Sequence, residues 1–450
     1  MLEDRFGQTI TLRDAQARDE WDRAVMAFLA HGAATPTHLG QALERAPDFA
    51  LGHAVKGLFL VLLGRRELYP IASEALETAH AAARATPITP REGLFLKALE
   101  ACLVPDFRRT LAHLGEAMRL APADPLAAKL DHSFRFVLGD AAGMRRSLEA
   151  ALPAFGEGHA ARGYMLGCHA FALEETGDYA AAHVRGSEGL ALCADDAWGL
   201  HAISHIYDMT GDAQGGLDWL DGREAAWAHC NNFRYHVWWH KALMYLDIGD
   251  HAAVLALYDS EIRADRTDDY RDIANATSLL MRLELDGADV GDRWEELARF
   301  SMDRTEDGCL VFADLHYLLA LAGGRRPDAA AKLIGRIRRD AEVGPNGAPS
   351  DRNATPGLPA ALGLEAFGEG RYAQAFGHLT RARADMPSAG GSHAQRDVFE
   401  RVTIDAGIRA GQMDAAEALL MDRTARRGAP DGYAEARHAL IADARRVPAE

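Results

Sequence analysis

Apolar residues along this chain recur at three- and four-residue intervals, in stretches of helical length broken by short polar turns. That period puts them on one face of an α-helix. Strict apolar–polar alternation, the mark of a half-buried strand, is scarce. The pattern predicts an all-α chain. The turns are as regular as the helices. Gly139-Asp140, Gly177-Asp178, Gly211-Asp212 and Gly249-Asp250 follow one another at intervals of 38, 34 and 38 residues, each between two apolar helical stretches. Glycine can take the left-handed conformation that ends one helix, and aspartate can cap the start of the next. A helical hairpin is therefore the repeating unit.

The interval is close to the period of about 34 residues of a tetratricopeptide array. Residue types agree: Tyr179 and Ala182 follow Gly177 as Tyr372 and Ala375 follow Gly370, the latter unit ending at Pro387. Gly411 with Ala416, and Pro47 with Gly57 and Gly64, fit the same frame. The expected fold is a set of tetratricopeptide-like hairpins wound as a right-handed superhelix or closed solenoid. Its expected divisions are an N-terminal helical cap (1–45), a central array (46–340), a loop or lid (341–356) and C-terminal repeats with a cap (357–450).

Composition adds bounds. A net charge of −17 disfavours nucleic acid or an anionic membrane as partner. Five widely spaced cysteines with no CxxC suggest reduced thiols and a cytoplasmic location. No signal peptide and no apolar run long enough to span a bilayer is expected.

Chemistry concentrates in one region: nine of the 19 histidines lie between residues 159 and 251. His201 and His205 form one i,i+4 pair, His236 and His240 another, each preceding a Gly-Asp corner. With the corner glycine as position 15 of a repeat, His236 takes position 2, His201 and Asp314 position 5, His205 position 9 and Asp208 position 12. Positions 2, 5, 9 and 12 share one helical stripe. His201, His205, Asp208 and His236 are thus the candidate catalytic groups. Asn231, Asn232, Tyr235, Trp239, His240, Asp272, Asn275 and Asp314 are the candidate ligand-binding groups, since an aromatic wall with a few directed polar groups suits a small-molecule pocket. Structural packing of the same rings is the competing explanation. Two histidine pairs also admit a metal ion, with Asp208 or Asp314 as oxygen donors. HAISH carries Ala202 where a zinc protease needs its glutamate. Cys168 and Cys230 are the thiols that a nearby histidine could activate, with buried inert thiols as the alternative. No nucleotide or flavin motif is present in the sequence.

The stretches APADPLAAKLDHSFRFVLGD, HAISHIYDMTGDAQGGLDWL, CNNFRYHVWWHKALMYLDIGD and DYRDIANATSLLMRLELDG together resemble the tetratricopeptide repeat protein 38 family. The resemblance runs over roughly residues 15–440 and is strongest over 121–320. One departure is Phe95, which stands where a histidine is expected in many relatives. The resemblance implies an all-helical repeat fold and supplies no reaction. Common peptide-clamping arrays line their groove with lysine and arginine, whereas this stripe offers histidine, aspartate, asparagine and aromatics. A polar small molecule is therefore the favoured ligand, with acid–base or hydrolytic chemistry as its extension. A scaffold for a peptide or protein partner is the alternative.

Overall fold

The computed structural model describes residues 1–104, 106–343 and 350–446. Helices account for nearly all of its regular structure, and consecutive helices pair as hairpins. The fold is all-α and tetratricopeptide-like. The exception is a short antiparallel ribbon, Leu2–Glu3 against Thr9–Ile10, in a stretch whose sequence reads as exposed and polar. Asp4 explains it, because its Oδ1 accepts from the backbone N–H groups of Phe6 (3.0 Å) and Gln8 (2.8 Å), and Phe6 and Ile10 are buried.

The glycine–aspartate corners form as the sequence predicts. Gly139, Gly177, Gly211 and Gly249 have φ of 69°, 81°, 68° and 78°, a region that any Cβ would strain. Asp140, Asp178, Asp212 and Asp250 then accept from the backbone N–H of the third residue onward: Gly143, Ala181, Gly215 and Ala253. Such a cap contributes about 1 kcal/mol by satisfying a helix-end donor.

The chain forms two compact units. One comprises Met1–Ile203 with Arg223–Arg234, the other Ser204–Gly222 with the chain from Tyr235 onward. In the first, hairpins such as Ala50–Leu62 with Tyr69–Ala85 and Arg162–Glu174 with Tyr179–Leu192 enclose Trp21, Phe49, Phe95, Phe134 and Phe171. Gly57 lies where a Cβ would fall 2.3 Å from Leu99 Cδ2, so a larger residue there would have to displace the Leu99 side chain. In the second, Tyr270–Leu285 packs on Val311–Gly323 and His393–Arg409, over a core that includes Trp239, Leu279, Leu297 and Leu318. Of the expected loop at 341–356, residues 344–349 lie outside the described residues. Its last part, Asn353–Gly357, is kinked at Thr355, whose backbone is extended (φ −152°, ψ 119°), and leads into the helix Leu358–Gly368.

No helix among the described residues is long and apolar enough to cross a membrane.

Candidate histidine site

Three helices supply the site in the C-terminal unit. Ala197–Met209 carries His205, Phe233–Asp247 carries His236 and His240, and Tyr270–Leu285 carries Asn275. The i,i+4 spacing brings His236 and His240 together edge to face, their ring centroids 4.8 Å apart at 83°. His205 meets His240 at 4.4 Å between centroids. Each of the three offers a ring nitrogen, and these atoms lie within 4.8 Å of one another.

The hydrogen bonds fix the protonation pattern. His236 Nδ1 lies 2.8 Å from Asn275 Oδ1, and because a carbonyl oxygen can only accept, Nδ1 carries the proton. In the neutral ring the lone pair then sits on Nε2, which is 3.2 Å from His240 Nε2. His205 Nδ1 lies 3.4 Å from His393 Nε2. Burial lowers the His236 pKa to about 3; the Asn275 bond works the other way, and the neighbouring His205 adds to the lowering. His236 is therefore a neutral lone-pair donor at physiological pH, unsuited to shuttling protons there. It also retains some exposure, whereas His205 and His240 are fully buried.

The helix Tyr270–Leu285 does more than hold Asn275. Asn275, Ser278 and Arg282 stand three and four residues apart, on one face. Ser278 Oγ accepts from Trp239 Nε1 at 3.1 Å, and Trp239 stacks on His236 at 5.1 Å and 15°. Arg282 lies over the Trp239 ring, 5.5 Å from its centroid, and donates to the carbonyls of Ser278 and Ala394 at 3.1 and 2.7 Å. Burial lowers its pKa to about 9, with Arg401 adding to that. Among the described residues, Asn275 Nδ2 and His316 Nε2 are buried without a hydrogen-bond partner. The Nδ1 of His316 lies 2.7 Å from the Phe312 carbonyl.

Other expected site residues have neighbours of their own. His201, one turn before His205 on the same helix, belongs to the N-terminal unit and packs among Phe171, Trp198 and Phe233. Asp208, expected beside His205, accepts from Arg427 Nη2 at 2.7 Å. Asp314 is buried 2.5 Å from Arg336. Asp272 accepts from the Thr267 hydroxyl, and Tyr235 donates to Asp265. Asn231 and Asn232 belong to the N-terminal unit, where Asn231 Oδ1 accepts from Phe233 N at 3.0 Å as a helix cap. Burial raises the Cys168 thiol and pushes Cys230 up to about 12, the reverse of an activated thiolate. His393, Ser278, Arg282 and His316 were not expected. Ser278 and Arg282 share a stripe with Asn275 that the sequence does display; His393 and His316 give no local signal.

Hairpin helices, glycine–aspartate corners and a buried histidine cluster define a tetratricopeptide-like helical-repeat protein. No protein-family model matches the chain. Among solved structures, it is similar to a chain of the structure of Naa15/Naa10 bound to HypK-THB, at 11% identity and a TM-score of 0.26, over 92% of this chain and 64% of that one. It thus spans under two thirds of that chain's length. It is also similar to a chain of the human IFIT1 dimer with m7Gppp-AAAA, at 14% identity and a TM-score of 0.35, over 100% of this chain and 98% of that one. At these scores the fold rests on the chain's own helices and corners.

Proposed function

We propose that this chain is a small-molecule-binding helical-repeat protein of the tetratricopeptide repeat protein 38 type, its site in the C-terminal unit around His236, His240, His205, Asn275 and Trp239. The observation that carries the proposal is the Asn275 amide. Its oxygen is engaged by His236 while its Nδ2 is buried without a partner among the described residues. A buried donor left unsatisfied costs about 1–3 kcal/mol, and a ligand with an acceptor oxygen removes that cost. Partly exposed His236 is the point of access. The burial of His205 and His240 favours a small polar molecule over a peptide laid along an open face. A low His236 pKa favours lone-pair donation over general-base catalysis, so hydrolytic chemistry here would need an activated water.

Mass spectrometry of the undenatured protein, after exposure to a cell extract depleted of macromolecules, tests the proposal. A bound small molecule retained by wild type and lost from both His236→Gln and Asn275→Ala is expected. Equal occupancy in both variants, or none in wild type, would overturn it.

A further inference from the structure

We propose that His205, His236 and His240 form a tri-histidine site for a zinc-type divalent transition-metal ion, with Asn275 orienting His236 as the outer partner. The inference rests on assigning the functional site to this cluster, and it names what that site holds first.

Four observations carry it. The donor set is imidazole, which suits zinc, copper and nickel and leaves calcium or magnesium, which take oxygen ligands, aside. Spacing is the second. Two imidazole nitrogens bound tetrahedrally to one ion at about 2.05 Å stand about 3.3 Å apart; His236 Nε2 and His240 Nε2 are 3.2 Å apart. The third nitrogen, from His205, lies within 4.8 Å of both, so a side-chain adjustment of about an ångström closes the triangle on a helix that is already in place. The tautomer is the third observation. A histidine that ligates through one nitrogen usually donates its other N–H to a carbonyl or carboxylate, which fixes the ring. The contact of His236 Nδ1 with Asn275 Oδ1, at 2.8 Å, has that form. Support of the rings is the fourth. Trp239 stacks flat on His236 and is itself fixed by Ser278, so the imidazole is held by packing as well as by its bond. Residues held this way are pre-organised for a ligand.

Three imidazoles would fill three of the four positions of a tetrahedral ion.

The test uses the full chain purified without a histidine tag. It is stripped with chelator, loaded with Zn2+, dialysed and analysed for metal, with parallel Co2+ titration followed by visible absorption. One ion per chain is expected, lost from His236→Gln and His240→Gln, with Asn275→Ala weakening affinity about 10–100-fold as loss of an outer partner does. Wild type that binds no ion, or both glutamine variants binding like wild type, would overturn the proposal. Should a variant fail to fold, X-ray absorption on zinc-loaded wild type decides: scattering from three imidazoles supports the site, and oxygen-only coordination removes it. A small molecule that still binds chelated protein, and is lost in His236→Gln, would leave the ligand site standing while the metal falls.

Discussion

Arg423 and His236 both lie in the C-terminal unit within buried polar clusters, and their surroundings could hardly differ more. Arg423 is gripped by two carboxylates: Asp397 through Nε (2.6 Å) and Nη2 (2.9 Å), Asp431 through Nη1 (2.9 Å) and Nη2 (2.6 Å). Arg401 shares Asp397 at 2.7 Å, and Tyr433 has the guanidiniums of Arg401, Arg423 and Arg437 at 4.5, 5.1 and 4.4 Å from its ring. Charge there is matched by charge. The histidine cluster instead joins imidazoles to one another and to an amide, and leaves the Asn275 amide nitrogen without a hydrogen-bond partner among the described residues. Closure of the first is what a structural fastening requires; a buried amide donor left to be satisfied, as in the second, is what a binding site can use.

The contrast breaks most visibly at Arg423. Arg423→Ala leaves two buried carboxylates without their main partner and should cost about 3–5 kcal/mol, read as a large fall in midpoint on denaturant unfolding. Acid should act on the same cluster. The facing arginines hold Asp397 and Asp431 below the ordinary carboxylate value despite burial, which alone would raise them. Carboxyls depressed in the folded state contribute stability in full above their unfolded value of about 3.9, and lose it as pH falls through the folded values. Thermal melts of wild type should therefore fall steeply below about pH 4. Those of Arg423→Ala should fall less steeply; an equal slope would show that the ion cluster is not the acid-sensitive element.

A repeat corner should lie between the two clusters in cost. Asp250→Ala removes the cap bond to Ala253 and should destabilise by about 1 kcal/mol, measurable by chemical denaturation. The histidine cluster should cost least. His236→Gln keeps a polar side chain at a partly exposed position and should change stability by about 1 kcal/mol or less while abolishing ligand and metal binding. A loss as large as that of Arg423→Ala would make the histidines structural and erase the contrast.

The sequence displayed the local half of this architecture. Glycine and aspartate at the corners act through backbone conformation and a bond three residues long, so their spacing alone predicted hairpins that the structure contains. His236 and His240 share a helical face for the same reason. Asn275 could be picked out because an amide inside an apolar helical run needs a partner. What spacing cannot show is who arrives from afar. Asp208 and Asp314 stand at the expected register positions, yet Arg427 and Arg336 occupy them. His393 reaches His205 across 188 residues of sequence. The N-terminal ribbon was hidden for a different reason, since Asp4 organises it through backbone bonds that polar composition does not reveal.

The amide of Asn275 has a consequence for chemical ageing. Deamidation would replace it with a carboxylate, which accepts at both oxygens and would favour a charged imidazolium at His236. The ring now held neutral for ligation would become a cation. Succinimide formation needs the Ala276 backbone nitrogen to swing onto the Asn275 side-chain carbonyl. Both residues are buried inside a continuous helix whose backbone geometry opposes that swing. Peptide mapping after prolonged storage should find Asn275 intact in folded protein and deamidated in unfolded protein. The working lifetime of the histidine cluster is thereby tied to the integrity of one helix.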